Sequence, residues 1–214
     1  MSLLSKISVF IAAAALLSHG PLAVAQDNTG HHERHDLAGL DVIPGDSLYQ
    51  LSVMLQSADG KTLKIAELRG QPLLVTMFYS HCTSVCPLLT AQVQRLIGSL
   101  TPAERLRIRV LMVSFDSLKD TPEALTDFKA QHHIQEANWI IARASASDVR
   151  ALAVALGIRY RELSDHTFNH SAVISVTDRD GIVRARTSEM TGPDDGFVAA
   201  LRAQIADPAQ HNQR

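Results

Sequence analysis

Residues 73–79 read Leu-Leu-Val-Thr-Met-Phe-Tyr, a run with no charge and no polar–apolar alternation. A strand with one solvated face would alternate, so this run predicts a strand buried on both faces. Gly70 and Pro72 punctuate its start. Residues 106–115, with the run RIRVLMVSF, predict a second central strand. Strands covered on both sides need further layers above and below them, and the segments that follow each run carry helical spacing.

From Pro87 onward, Leu88, Leu89, Val93, Leu96 and Ile97 recur at helical intervals, with Pro87 suited to a first turn. Thr101-Pro102-Ala103-Glu104 is a capping-box pattern. A second helix is predicted from Thr121 to about His132, a short strand over 139–142, and a third helix over 148–156 with Ser147 as its cap and Gly157 as its stop. Upstream, residues 48–55 predict a strand, 57–60 a turn, and 62–68 a return strand or a short turn of helix. Downstream, strands over 171–176 and 182–186 flank a turn at 178–181, and a last helix runs from about Asp195 to Ile205. The order predicts an α/β three-layer domain: a central mixed sheet flanked by helices, entered through an N-terminal β-hairpin.

The chain is 46% hydrophobic and 20% charged, with a formal net charge of −2. That balance excludes a disordered chain and gives no cationic field for polyanions, so nucleic acid is not an expected partner. Residues 1–25 predict a signal peptide. Lys6 precedes an apolar stretch over 7–17 that is short for a membrane span, Pro21 breaks it, and Ala23-Val24-Ala25 supplies small residues for cleavage before Gln26. An uncleaved N-terminal anchor is the alternative. The expectation is an exported protein, periplasmic in a bacterium and soluble after cleavage, with no membrane span in the mature chain. Residues 26–46 predict a flexible linker, 47–206 the domain, and 207–214 a polar tail. The linker carries His31, His32 and His35, which could collect metal or simply be solvated.

Only two cysteines are present, Cys82 and Cys86, in the stretch Phe78-Tyr79-Ser80-His81-Cys82-Thr83-Ser84-Val85-Cys86-Pro87. Thiols in an oxidising compartment usually pair, but a loop this short stabilises a fold little, so redox or metal chemistry is the stronger reading. A plain short disulfide stays open. The loop joins the carboxyl end of a buried strand to a helix N-terminus, where ligands bind and thiolate is favoured. Thiolates are soft donors that select copper and zinc. A third donor is offered by His170, in Asp165-His166-Thr167-Phe168-Asn169-His170-Ser171 before the strand AVISV. Two sulfurs and one imidazole suit copper, whereas structural zinc takes four protein ligands and no fourth is evident. His166 reads as a solvated loop residue or backup ligand. His81 could tune its cysteine neighbour or point away. His132 and His133 read as complements to a helix C-terminus, and Asp120-Thr121-Pro122 as helix-start chemistry without a catalytic role.

Four segments together carry a resemblance: DGKTLKIAELRG before the first central strand, FYSHCTSVCP at the cysteines, VSFDSLKDTPEAL after the second strand, and FNHSAVISVTDRDG at the histidine. Over about residues 47–206 the chain resembles the SCO/SenC family of copper chaperones, thioredoxin-like proteins that help assemble cytochrome c oxidase. The resemblance implies a thioredoxin-like fold and Cys82, Cys86 and His170 as ligands of a copper ion. It implies delivery to the dinuclear copper A centre of an oxidase subunit or to another copper acceptor, with a thiol reductant protein keeping the pair reduced. Asp116 matches an acidic position of the family and would act at most from behind the ligands. His166 is not part of the pattern.

Two functions remain in play. A metallochaperone would capture copper and pass it on by ligand exchange, breaking no bond in a substrate. A thiol–disulfide oxidoreductase would use Cys82 to attack and Cys86 to resolve. Reductases of the thioredoxin kind usually have two residues between the cysteines and a proline facing them. Here three residues intervene, and no proline occurs from Ala144 to Gly192.

Overall fold

The structure is a computed structural model that describes residues 42–206. The signal peptide expected over 1–25, residues 26–41 of the expected linker with His31, His32 and His35, and the tail at 207–214 lie outside the described residues.

Fourteen strands and α-helices follow in chain order among the described residues. They are β1 (Met54–Ser57), β2 (Thr62–Lys64), β3 (Leu73–Phe78), α1 (Val85–Gly98), α2 (Pro102–Arg105), β4 (Arg109–Ser114) and α3 (Pro122–Gln131). Then come β5 (Trp139–Ala144), α4 (Ala146–Leu156), β6 (Tyr160–Glu162), β7 (Phe168–His170), β8 (Ile174–Thr177), β9 (Val183–Thr187) and α5 (Asp195–Ala206). Seven strands form one mixed sheet in the order β2-β1-β5-β4-β3-β8-β9. The parallel centre is β3, β4 and β5, and the outer neighbours run antiparallel. Helices flank this sheet, as the buried apolar runs require: every residue of β3 is buried.

Register decides where a site can form. β3 and β4 pair in parallel from Leu73 opposite Arg109 to Phe78 opposite Ser114. Both strands therefore end at one edge, and the loops after them leave side by side. β8 returns antiparallel with Ile174 opposite Thr76, so the chain before Ile174 arrives at that same edge.

Predicted elements depart from the fold in three places. Residues 48–55 do not form one strand: Ser47 Oγ accepts the Tyr49 N–H at 3.0 Å and closes a 3₁₀ turn over Leu48–Gln50, so β1 starts only at Met54. The third helix starts earlier, with Ser145 rather than Ser147 as its cap, accepting the Asp148 N–H at 3.2 Å. The strand expected over 171–176 begins only at Ile174. Ser171 binds Arg159 instead, its N–H donating to the Arg159 carbonyl at 2.9 Å and its hydroxyl accepting the Arg159 N–H at 3.0 Å. That pairing draws Phe168–His170 into a separate two-stranded ribbon with Tyr160–Glu162. Between β2 and β3, residues 62–68 take both predicted forms, a strand and then a 3₁₀ turn. Gly157 ends α4 in the left-handed region at φ 70°, as its stop position predicts.

Candidate metal centre

The cysteine loop leaves β3 at Phe78 and enters α1 at Val85. It is pinned from below. Asp120, fully buried, accepts the Ser80 N–H at 2.9 Å and the hydroxyls of Ser80 and Ser114. One carboxylate thus ties together the ends of both central strands and the start of the α3 segment, and it satisfies its own buried charge with three donors.

Cys82 and Cys86 are both free thiols, 8% and 1% exposed respectively. The Cys86 N–H, in the first turn of α1, donates to the Cys82 sulfur at 3.3 Å. Burial works to raise the Cys82 thiol, but hydrogen bonds from the Cys86 thiol, the Cys86 and Ser84 N–H groups and the Ser84 hydroxyl outweigh it, and its pKa falls below the ordinary value. Cys86 moves the other way. Burial pushes its thiol well up, and the neighbouring Cys82 sulfur and the Asp120 charge add to the rise.

His170 ends β7 and faces the pair, its Nε2 lying 3.6 Å from the Cys86 sulfur. Nδ1 sits 3.3 Å from the Ser171 carbonyl and donates to it, which leaves the Nε2 lone pair for a ligand. Burial pulls the imidazole pKa down, against the Ser171 bond, so the ring is neutral at pH 7. Aromatic rings hold it in place. Phe115 lies 4.9 Å away and Tyr79 6.1 Å, centroid to centroid, and Phe168 packs on both of those rings. The Tyr79 hydroxyl, its pKa raised further mainly by burial, also bonds the Phe168 backbone. Ligand atoms of Cys82, Cys86 and His170 all lie within 4.8 Å of one another.

The remaining candidates stand apart from this group. His81 is exposed, with Nδ1 at 2.9 Å from Ser80 Oγ and 3.6 Å from Asp120. His166 is an exposed residue at φ 60°, with Nδ1 bonded to Glu162 at 2.8 Å. Asp116 turns its Oδ1 to the N–H groups of Leu118 and Lys119, so it caps a turn. His132 is the C-cap residue of α3, where burial and next the neighbouring His133 lower its pKa, and its ring packs on Phe128 at 4.4 Å. Sequence reasoning passed over Asp120 as helix-start chemistry and missed Ser80, Ser114, Phe115 and Phe168. The available signal was a serine near the end of each central strand, with an aspartate six residues after the second serine.

The SCO1/SenC family model matches residues 47–206, three quarters of the chain. The chain belongs to the SCO1/SenC family. Among curated SCO1/SenC relatives, the SCO1 protein homolog of Bacillus subtilis is 29% identical over 100 residues, which cover 46% of this chain and 51% of that one. This member therefore spans about half the length of that relative. Bradyrhizobium japonicum ScoI, solved with copper bound, is 20% identical with a TM-score of 0.57 over 71% of this chain and 96% of that one. BsSco, described with a disulfide switch and as a member of the Sco family of cytochrome c oxidase assembly proteins, is 22% identical with a TM-score of 0.62 over 72% and 91%. These structural likenesses establish the thioredoxin-like fold of this SCO1/SenC chain. No described helix is long and apolar enough to cross a membrane.

Proposed function

We propose that this SCO1/SenC chain is an exported copper metallochaperone in which Cys82, Cys86 and His170 hold one copper ion. The observation that carries the reading is the convergence of two thiols and one imidazole within 4.8 Å on an edge of the sheet. Soft sulfur with one nitrogen is a donor set that favours copper over the hard divalent ions. Three protein donors also leave room for an incoming ligand from a partner.

Capture begins at Cys82, the more exposed sulfur with the lowered pKa. Cys86 gives up its proton as the metal binds, and neutral His170 closes the site through Nε2. Release is ligand exchange to the acceptor's own donors, which leaves both thiols reduced, and a thiol reductant protein keeps the pair from oxidising to a disulfide between rounds. The acceptor is the copper A centre of a cytochrome c oxidase subunit, a reading supported by the family and by the oxidase-assembly role stated for BsSco. In the same reading residues 1–25 are the signal peptide, 26–46 the linker, 47–206 the copper-binding domain and 207–214 a polar tail.

A thiol–disulfide oxidoreductase is the second reading, favoured by the opposed shifts of Cys82 and Cys86, which suit an attacking and a resolving thiol. Against it, the group facing the pair is the His170 imidazole rather than a proline ring. Titrating the reduced protein with copper while recording spectra, on the parent and on Cys82→Ser, separates the two. The chaperone reading expects one copper per chain in the parent and a lost or altered site in the variant. Absence of copper binding together with turnover in a disulfide-exchange assay would favour the enzyme.

A further inference from the structure

Behind the rings that pack on His170 lies a groove of about 580 Å³, between α4, β6 and the turn after β4. Phe115, whose ring packs on His170, and Phe168, which packs on Phe115 in turn, line it. Two large aliphatic side chains stand almost free in solvent along it, Leu118 at 85% and Val154 at 76% exposure. Past Val154 and Arg150 the apolar surface continues into a second, shallower recess beside Leu51 and Ala151.

Charge narrows what fits. Arg150, Arg159 and Arg161 line the groove, all exposed, and none of their guanidinium groups makes a hydrogen bond or ion pair among the described residues. The two acids of the groove are already engaged: Asp116 Oδ1 accepts from the Leu118 and Lys119 N–H groups, and Glu162 holds His166. Three arginines against two carboxylates leave the rim with an excess of positive charge, on a chain whose formal net charge is −2.

The geometry points to this groove as the docking site for a segment of the copper acceptor that carries aliphatic side chains flanked by aspartate or glutamate. The inference rests on the copper-delivery reading and adds the partner's chemistry and its place of contact. Aliphatic groups would cover Leu118, Val154 and the ring floor, while carboxylates pair with the arginines at the rim. A partner seated there lies against the far side of the rings that position His170, next to the ligand that must let go. A second copy of this chain fits less well, because a two-fold contact would bring together two patches with the same excess of positive charge.

The test uses the purified reduced protein, titrated by calorimetry with the copper-receiving domain of the oxidase subunit from the same organism. Three double variants are compared: Arg150→Glu with Arg161→Glu, Arg150→Lys with Arg161→Lys, and Leu118→Ser with Val154→Ser. All four positions are exposed, so the fold should persist, and circular dichroism checks it. Charge reversal should weaken binding by about tenfold and flatten its dependence on salt, because rim charges act through long-range attraction. The lysine pair should stay within about twofold of the parent, since an exposed rim needs only the charge. The serine pair should also weaken binding, and copper stoichiometry should be unchanged in all three. Parent-like binding by the charge-reversed protein, or no binding of the domain by the parent, would overturn the proposal. So would a concentration-dependent dimer of the parent that the variants abolish. A failed copper-delivery reading shows separately, as a parent that takes up no copper whatever the docking result.

Discussion

Nε2 of His170 lies 3.6 Å from the sulfur of Cys86, although 84 positions separate them in the chain. Two pairings bring them together. β8 runs antiparallel to β3, and the β6–β7 ribbon holds Phe168–His170 over the edge where β3 ends. The Ser171 carbonyl then fixes which ring nitrogen faces the sulfur.

Replacing His170 by alanine should weaken copper(II) binding and change its absorption and spin-resonance spectra while leaving the fold intact. The ring is partly buried and packs on Phe115 and Tyr79, so the loss of stability should be about 1 kcal/mol. Denaturant unfolding and copper spectra on the same preparation check both halves.

Asp120→Ala should cost more stability than His170→Ala, about 2–3 kcal/mol, because it takes the acceptor from the half-buried Ser80 N–H and from the fully buried Ser114 hydroxyl. It should also loosen the cysteine loop and lower copper affinity. Asp120→Asn keeps the size but removes the charge that helps raise Cys86, so its thiol pKa should fall. Urea unfolding and thiol titration by absorbance read these effects.

Much of this architecture was legible in the amino-acid order, for physical reasons that differ by element. The run at 73–79 can only be satisfied by cover on both faces, and β3 is buried at every residue. Capping chemistry also read through directly at Thr101 and at Gly157. The ribbon did not, because β6 and β7 are three residues each and their pairing depends on Ser171 reaching Arg159. Asp120 was obscured because an aspartate before Thr-Pro already has a local explanation. Its link to Ser80, 40 positions away, exists only once β3 and β4 lie in register.

Copper affinity should rise with pH through the neutral range. Cys86, raised by burial, stays protonated there and must lose its proton to bind, which gives up to about tenfold in affinity per pH unit for that one proton. His170 releases none near pH 7, since its lowered pKa leaves it neutral. Competition titrations against a chelator at several pH values measure the slope. For the metal-free protein the lowered pKa values of His170 and His132 act in one direction. The unfolded imidazoles take up protons that the folded ones refuse, so stability should fall as pH drops below about 6.5 and level off once the folded groups also protonate. Urea midpoints across that window test it.

Gly181→Ala should destabilise the domain by about 2 kcal/mol or more, since it combines a disfavoured backbone region with a clash. Gly181 sits at φ 80°, and an added Cβ would lie 2.8 Å from Ser47 Oγ and from the Tyr49 ring. Copper stoichiometry should be unaffected at temperatures where the variant stays folded, as read by thermal unfolding and metal analysis.

X-ray absorption at the copper edge of the loaded, reduced protein addresses the ligand set most directly. Two sulfur scatterers and one imidazole are predicted for the parent, with the imidazole signature absent in His170→Ala. A copper ion bound by sulfur alone in the parent, or a spectrum indifferent to His170→Ala, would contradict the assignment.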